Sequence, residues 1–419
     1  MHPKALIDES ARLIEAVFKF DHPADAVVAR HFRENRALGP RERATLSDTV
    51  YTVLRERLRL EWLARSGSGS KWRRLAILGF PGDRDFLKSA LNDVEKQWLD
   101  ACAAVREDEW LAPHRHNLPE WLAQALRAQV GDGFDALARS LNEGAPLDLR
   151  VNTFKAKRPQ VAEALARHKV GTTPTAYSPM GLRVAGKPAL HKLDVFTEGL
   201  AEVQDEGSQL LTLLLEAKRG EMVADFCAGA GGKTLAIGAA MRNTGRLYAF
   251  DTSAHRLDAI KPRLARSGLS NVHPAAIAHE RDERIKRLAG KMDRVLVDAP
   301  CSGLGTLRRH PDLKWRQTPD TVAELVKTQQ AILDSAARLV KPGGRLVYAT
   351  CSLLREENEA QAERFAQAHP DFEPLDALAC LARAQVEQAE TLGANGQLRL
   401  WPHLHGSDGF FAAVWQRKA

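Results

Sequence analysis

Residues 222–234, Met222-Val223-Ala224-Asp225-Phe226-Cys227-Ala228-Gly229-Ala230-Gly231-Gly232-Lys233-Thr234, pass from an apolar run into a cluster of glycines. The run 222–226 reads as a strand. Glycines are needed where a chain turns tightly into a helix while a ligand approaches its backbone. Downstream, strand signals recur at 246–250, 272–278, 293–298 and 345–350, with helical stretches between them, including 319–340. Regular strand–helix alternation predicts an α/β fold with a parallel, doubly wound sheet covered by helices on both faces. Two last runs, 397–401 and 410–415, flank the turn-rich His405-Gly406-Ser407-Asp408-Gly409 and are expected to form a hairpin at the sheet edge.

In open α/β sheets, ligands bind outside the C-terminal ends of the strands, so the residues after each strand are the candidates. The turn Cys227-Ala228-Gly229-Ala230-Gly231-Gly232-Lys233 is the first of them. Gly232-Lys233-Thr234 invites a nucleoside-triphosphate reading, but that motif needs a glycine where Cys227 stands. A dinucleotide fingerprint needs a third glycine where Thr234 stands, so it fails as well. What remains is a helix N-terminus whose free amides can hold a carboxylate or another anionic group. Asp251 ends the second strand, where an acid can accept hydrogen bonds from both hydroxyls of a ribose. The plainer alternative makes it the N-cap of the next helix. A glycine turn, a ribose-reading acid and no phosphate signature together favour S-adenosylmethionine as the cofactor.

Asp298-Ala299-Pro300-Cys301-Ser302-Gly303 and Tyr348-Ala349-Thr350-Cys351-Ser352 each follow a β-rich run. Cys301 and Cys351 are therefore both expected at strand ends, aimed into one crevice, and two nucleophile-capable side chains there suggest covalent chemistry. A cysteine in a strand is more often a small core residue, which is the reading for Cys102 and Cys380, while Cys227 is expected to be structural within the cofactor turn. Spacing alone does not say which of Cys301 and Cys351 attacks. Five cysteines in 419 residues is a sparse, odd count that argues against a disulfide framework, and no Cys/His spacing suggests a metal.

Upstream, the chain divides into two further parts. Residues 1–140 carry helical signals, with Val27, Val28 and Phe32 forming an apolar face over 24–32, and Leu46, Val50, Val53, Leu54, Leu58 and Leu63 one over 44–63. Arg55, Arg57 and Arg59 are expected on the exposed side of the second helix, with Lys71-Trp72-Arg73-Arg74 after a Ser/Gly linker at 66–70. This domain could bind RNA or a protein, or carry a solvated helix face. Residues 145–203 read as a small α+β domain, with a strand at 147–152, a helix at 159–167 and β-like runs near 181–184 and 193–195. Residues 141–200 hold nine Lys and Arg against five Asp and Glu, more than half of the chain's +7 excess. Arg150, Lys155, Lys157, Arg158, Lys169, Arg183, Lys187 and Lys192 suit a platform for a phosphate backbone. No stretch approaches the roughly 20 apolar residues of a membrane helix, and the N-terminus lacks a signal peptide's apolar core. A cytoplasmic protein without a membrane partner is expected. Without a coiled-coil pattern it is expected to be a monomer.

The motifs at 225–234, 298–303 and 350–352 resemble the signature blocks of the Nop/Sun family of RNA cytosine-5 methyltransferases. The resemblance extends to Gln204-Asp205-Glu206-Gly207-Ser208-Gln209, to Leu149-Arg150-Val151-Asn152-Thr153, to Trp401-Pro402-His403 and to Asp408-Gly409-Phe410-Phe411. It covers roughly residues 145–419, and the N-terminal helices resemble the NusB-like module that precedes this core in bacterial enzymes acting on 16S ribosomal RNA. The resemblance implies a Rossmann-like class I methyltransferase domain at 204–419 and an RNA substrate rather than DNA, with ribosomal RNA expected ahead of tRNA. A non-catalytic RNA-binding or assembly factor is the alternative from another class. It implies Cys351 as the nucleophile and Cys301 as an aid to product release. Asp298 would hydrogen-bond the cytosine ring, and Lys233 would depress a thiol pKa or steady the pyrimidine. One departure concerns the acid that many relatives place after the third strand for the adenine amino group. Ala275-Ala276-Ile277-Ala278-His279-Glu280 offers no clear match, and Glu280 and Asp282 are the substitutes at hand. The loop Arg308-Arg309-His310-Pro311-Asp312-Leu313-Lys314-Trp315-Arg316 reads either as a base-stacking RNA contact or as a solvated loop with Trp315 packed beneath it.

Overall fold

The structure, a computed structural model, describes residues 2–419 and divides them into two compact units. One holds the chain up to Gly144 together with Thr306–Pro319; the other holds Ala145–Gly305 and Asp320–Ala419. Residues 306–319, read in the sequence as part of the last domain, thus group with the N-terminal helices.

The first unit is helical, with Leu6, Ile7, Ile14, Leu46, Val50, Leu54 and Leu75 in its core. The single helix expected over 44–63 is two, Pro40–Arg55 and Arg57–Ala64. A helix end leaves carbonyls without intrahelical donors, and at this break two side chains from the distant segment fill them. Trp315 Nε1 donates to the Leu54 carbonyl at 2.8 Å and Lys314 Nζ to the Arg55 carbonyl at 2.8 Å. The expected exposed arginine face is also corrected. Arg57 stacks on Phe18, Phe20 and Trp315, and Arg59 on Trp110. Arg55 donates to the Arg308 carbonyl at 3.1 Å. Lys71 starts the helix Lys71–Leu78, Trp72 packs on Phe18, and Arg73 pairs with Glu95 and Asp8.

In the second unit, β1 (Leu147–Val151), β2 (Thr172–Pro174), β3 (Gly181–Val184) and β4 (Ala201–Val203) form an antiparallel sheet in the order β2-β3-β1-β4. The helix Arg158–Arg167 supplies Val161 and Leu165 to a core with Leu149 and Val151. The β-like run near 193–195 is instead the start of a short helix, Asp194–Thr197. Two of the expected phosphate cations are committed to partners within the unit. Arg150 is 2% exposed and donates to Gln204 at 2.6 Å, and Arg183 makes a two-pronged pair with Asp148 at 2.8 and 3.0 Å. This sheet is tied to the rest of the unit by buried Glu202, which pairs with Arg263 and Arg266. Asn152 adds a bond to the Ser267 carbonyl at 3.0 Å.

The large sheet contains β5 (Met222–Asp225), β6 (Arg246–Asp251), β7 (Val272–Ala276), β8 (Met292–Asp298), β9 (Val340–Thr350), β10 (Phe372–Leu375), β11 (Gly393–Ala394), β12 (Gln397–Leu400) and β13 (Phe410–Arg417). Its order is β11-β12-β13-β9-β8-β5-β6-β7, with β10 paired to β13. The strands β5 to β9 run parallel. Alternate residues feed two cores: Val223, Leu247, Leu296 and Val347 on one face, Ala224, Phe250, Val295 and Tyr348 on the other. Burial on both faces is why these strands read as nearly continuous apolar runs. The terminal hairpin forms, but β13 is not an edge: it lies between β9 on one side and β12 and β10 on the other. Its Phe411 opposes Thr350, which brings Asp408-Gly409-Phe410 to the C-terminal end of β9.

Candidate active site

Chain order reverses between β5 and β8, since β6 and β7 extend to one side and β8 and β9 to the other. That switch point opens a crevice at the C-terminal strand ends. A cavity of about 640 Å³ lies there, lined among others by Cys227, Asp251, Glu280, Asp298, Cys301 and Cys351. Of the glycine turn, only Cys227 lines it; burial pushes that thiol well above its ordinary range. Ala228 donates its amide to the Phe250 carbonyl, and the Ala230 carbonyl accepts from Arg263. Gly229 and Gly231 have φ of 54° and 81°, the left-handed region that favours glycine. A Cβ on Gly231 would meet Ile260 at 2.8 Å. Gly232 and Lys233 open the helix Gly232–Ala240, where first-turn amides have no intrahelical acceptor.

Asp251 is 7% exposed and is not the N-cap of the next helix; Ser253 is. Its two oxygens accept from the amides of Gly229 and Ser253, each at 2.8 Å. A carboxylate oxygen retains a second lone pair when it accepts one bond, so both can still take a hydroxyl. The carboxylate therefore ties the glycine turn to β6 while facing the cavity. Of the two acids considered for adenine, Asp282 caps a short helix and accepts from the amides of Ala278 and Arg284, whereas Glu280 lines the cavity.

Beneath the turn, Asp225 is buried and accepts from Thr234 Oγ1 at 2.7 Å. Burial pushes its carboxyl up to about 7, opposed by the Thr234 bond and helped by the charge of Asp298. Lys233 Nζ donates to Asp298 Oδ2 at 2.7 Å. Burial works against this ammonium, but Asp298, with a smaller contribution from Cys351, outweighs it and holds its pKa above the ordinary lysine value.

The sulfurs of Cys301 and Cys351 stand 3.3 Å apart. The contact with Cys351 and then burial hold the Cys301 thiol well above its usual range. Gly305 packs between the Cys351 loop and β13: it donates to the Cys351 carbonyl and accepts from the Gly409 amide, each at 2.8 Å. A Cβ there would lie 2.1 Å from the Gly409 carbonyl oxygen. The residue that sequence reading missed is Glu357, fully buried and bonded to the serines that follow both cysteines. The one available signal was the matching hydroxyls of Ser302 and Ser352. The loop 308–316 is packed within the helical unit. Lys314 is 1% exposed, and Trp315 packs in the helical core.

The sequence model of the family "16S rRNA methyltransferase RsmB/F" matches residues 212–416, and that of the ferredoxin-like domain of RsmF/B-like methyltransferases matches 118–191. A ribosomal RNA small subunit methyltransferase B of Vibrio cholerae is 30% identical over 369 residues, covering 79% of this chain and 83% of that protein. The chain belongs to the RsmB/F family. Another relative, a probable ribosomal RNA small subunit methyltransferase B of Bacillus subtilis, is 32% identical over 82% of this chain and 76% of its own. One from Synechocystis sp., with the same name, is 40% identical over 71% of this chain and 66% of its own. Among solved structures, PH0851 covers 100% of this chain and 99% of its own with a TM-score of 0.80 at 27% identity. A methyltransferase homologue from Pyrococcus horikoshii covers 73% of this chain and 97% of its own, with a TM-score of 0.62 at 27% identity. These likenesses agree with a Rossmann-like methyltransferase domain preceded by a ferredoxin-like domain and a helical region. Among the described residues no helix is long and apolar enough to cross a membrane, and no cluster of His, Cys, Asp or Glu could hold a metal ion.

Proposed function

We propose that this RsmB/F protein is a cytoplasmic RNA cytosine-5 methyltransferase acting on 16S ribosomal RNA, with S-adenosylmethionine as methyl donor and Cys351 as nucleophile. The observation that carries the reading is the pair of sulfurs 3.3 Å apart in a cavity shared with Asp251 and Asp298. The names of its relatives support the RNA. The cavity fits the donor in the chemistry of its walls, where Asp251 has acceptor capacity for ribose hydroxyls and Glu280 for an adenine amino group; outside those walls, the first-turn amides of Gly232 and Lys233 have donor capacity for a carboxylate. Once bound there, S-adenosylmethionine supplies an electrophilic methyl group.

Carbon 5 of cytosine is a poor nucleophile. Addition of the Cys351 thiolate to carbon 6 makes an enamine whose carbon 5 can be methylated; a base then takes the carbon 5 proton, the freed electron pair re-forms the ring double bond, and the sulfur leaves as thiolate. Lys233 places a positive charge near Cys351, the usual device for keeping a thiolate. Asp298 faces the same cavity and hydrogen-bonds the ring. Cys301 donates its proton toward the departing Cys351 sulfur, and the cytosine leaves its stack to reach the thiol.

Bisulfite sequencing of ribosomal RNA and tRNA after incubation with wild-type protein and with Cys351→Ala tests this directly. One 16S cytosine should resist bisulfite deamination after incubation with the wild type only. Methylation of tRNA instead, or undiminished activity in Cys351→Ala, overturns the substrate or the nucleophile respectively. Calorimetry with S-adenosylhomocysteine should show binding that Asp251→Ala weakens.

A further inference from the structure

The two cysteine turns share a support that the chemistry above does not use. Ser302 and Ser352 each follow one of the cysteines, and their hydroxyls lie 3.2 Å apart. Both turn inward to Glu357. The Ser302 amide donates to Glu357 Oε1 at 2.8 Å and its hydroxyl to Oε2 at 2.5 Å, while the Ser352 hydroxyl donates to the same Oε2. Gln329 Nε2 bridges Glu357 Oε1 at 2.9 Å and the Pro300 carbonyl at 3.0 Å. Tyr348 Oη donates to the Glu357 backbone carbonyl at 2.7 Å. Next in the chain, Asn358 donates to the Ser352 carbonyl at 3.0 Å and bonds Thr350 Oγ1. Apart from Pro300, which is exposed, every one of these residues is fully buried.

A carboxylate with no exposed surface is costly unless its oxygens are bonded. Here Glu357 accepts four bonds from three residues. Three of those bonds come from the serines that follow the two nucleophile candidates, and the fourth comes from Gln329, which also holds the residue before Cys301. A residue serving only the core would not need donors so placed.

We propose that Glu357 is a positioning residue that holds the two cysteine turns in register, so that Cys301 stays a neutral thiol donating toward the Cys351 sulfur. The role rests on the thiol chemistry proposed above. It explains how two thiols at one distance acquire unequal tasks. The fixed spacing lets Cys301 donate; its contact with Cys351 and its burial oppose its ionisation first, and the negative charge of Glu357 behind it adds to them. The nucleophile's task is thereby left to Cys351, near Lys233.

The test uses the full-length protein without RNA or cofactor. Iodoacetamide labelling of Cys301 and Cys351 is followed against pH by peptide mass spectrometry in the wild type, Glu357→Gln, and the double variant Ser302→Ala with Ser352→Ala. Wild-type protein should label Cys351 in preference to Cys301. Glu357→Gln keeps the shape and loses the charge, and should reduce that preference at least about fivefold, since one pKa unit is tenfold in thiolate population. The serine double variant should reduce it in the same direction. In methylation assays Glu357→Gln should lower kcat by roughly 10–100-fold with little change in the KM for RNA. A wild-type labelling ratio in Glu357→Gln overturns the proposal. If Glu357→Gln fails to fold, an unchanged ratio in the serine variant overturns it equally. A wild-type protein that methylates no cytosine would remove the proposed function, yet the labelling ratio would still decide the role of Glu357.

Discussion

Lys233 Nζ donates to Asp298 Oδ2 at 2.7 Å, joining the helix after β5 to the end of β8, where Asp298 lines the cavity. Both side chains keep some exposure, 12% and 28%, so the pair is partly screened. Its value lies in orientation: Lys233 is held near Cys351, and Asp298 is aimed at the same space. Lys233→Met should therefore lower kcat by about 10–100-fold, about 1.4–2.7 kcal/mol of barrier. Binding of S-adenosylhomocysteine should change much less. Steady-state kinetics and calorimetry on the same preparation check both, and an unchanged kcat removes Lys233 from the reaction.

Cys301 accounts for a second expectation. With the sulfurs 3.3 Å apart, replacing Cys301 takes away the proton donor beside the Cys351 leaving group and leaves the nucleophile intact. Cys301→Ala should consequently trap protein on RNA. A slower band containing both should appear on a denaturing gel and vanish in the double variant with Cys351→Ala. Tight RNA binding with no such band would count against the assigned role.

The parts of this architecture that were legible in sequence share a cause. Strands β5, β6, β8 and β9 are buried on both faces, so they read as apolar runs, and the residues placed at their ends, Asp251, Asp298 and Cys351, follow from the connection rule of α/β sheets. Glu357 was not legible, because it sits in Glu356-Glu357-Asn358-Glu359, a run of acids that looks like solvated surface. Nothing local says which acid turns inward; the decision is made by Ser302, which lies 55 positions away. The helix break near Glu56 failed for a similar reason. Its periodicity is continuous, and the donors that stabilise the break, Lys314 and Trp315, come from 259 and 261 residues downstream. Arg150 looked like a phosphate ligand because composition does not reveal burial.

Trp315 tests the two readings of the basic loop against each other. Its ring lies under Arg57 at 5.0 Å, and its nitrogen donates to the Leu54 carbonyl. Trp315→Ala should destabilise the helical unit by about 3 kcal/mol through lost packing and an unfilled carbonyl. Urea unfolding followed by circular dichroism should show the lower midpoint. RNA affinity measured below that midpoint should stay unchanged, whereas a loss of affinity without loss of stability would restore the base-stacking reading.

Asp225 gives the site a pH-dependent stability. Its carboxyl is raised to about 7 in the folded chain, first by burial, so between an unfolded value of roughly 4 and that point the folded form binds a proton the unfolded chain has released. A raised folded pKa contributes stability that is fully present below the unfolded value. That stability is lost as pH rises through about 7. Asp225→Asn keeps an oxygen for Thr234 Oγ1 and removes the ionisation. The variant should match or trail the wild type at pH 5 and gain on it by about 1–3 kcal/mol by pH 8. Thermal unfolding midpoints across that range provide the measurement, and a variant whose midpoint runs parallel to the wild type at every pH would show that Asp225 does not titrate there.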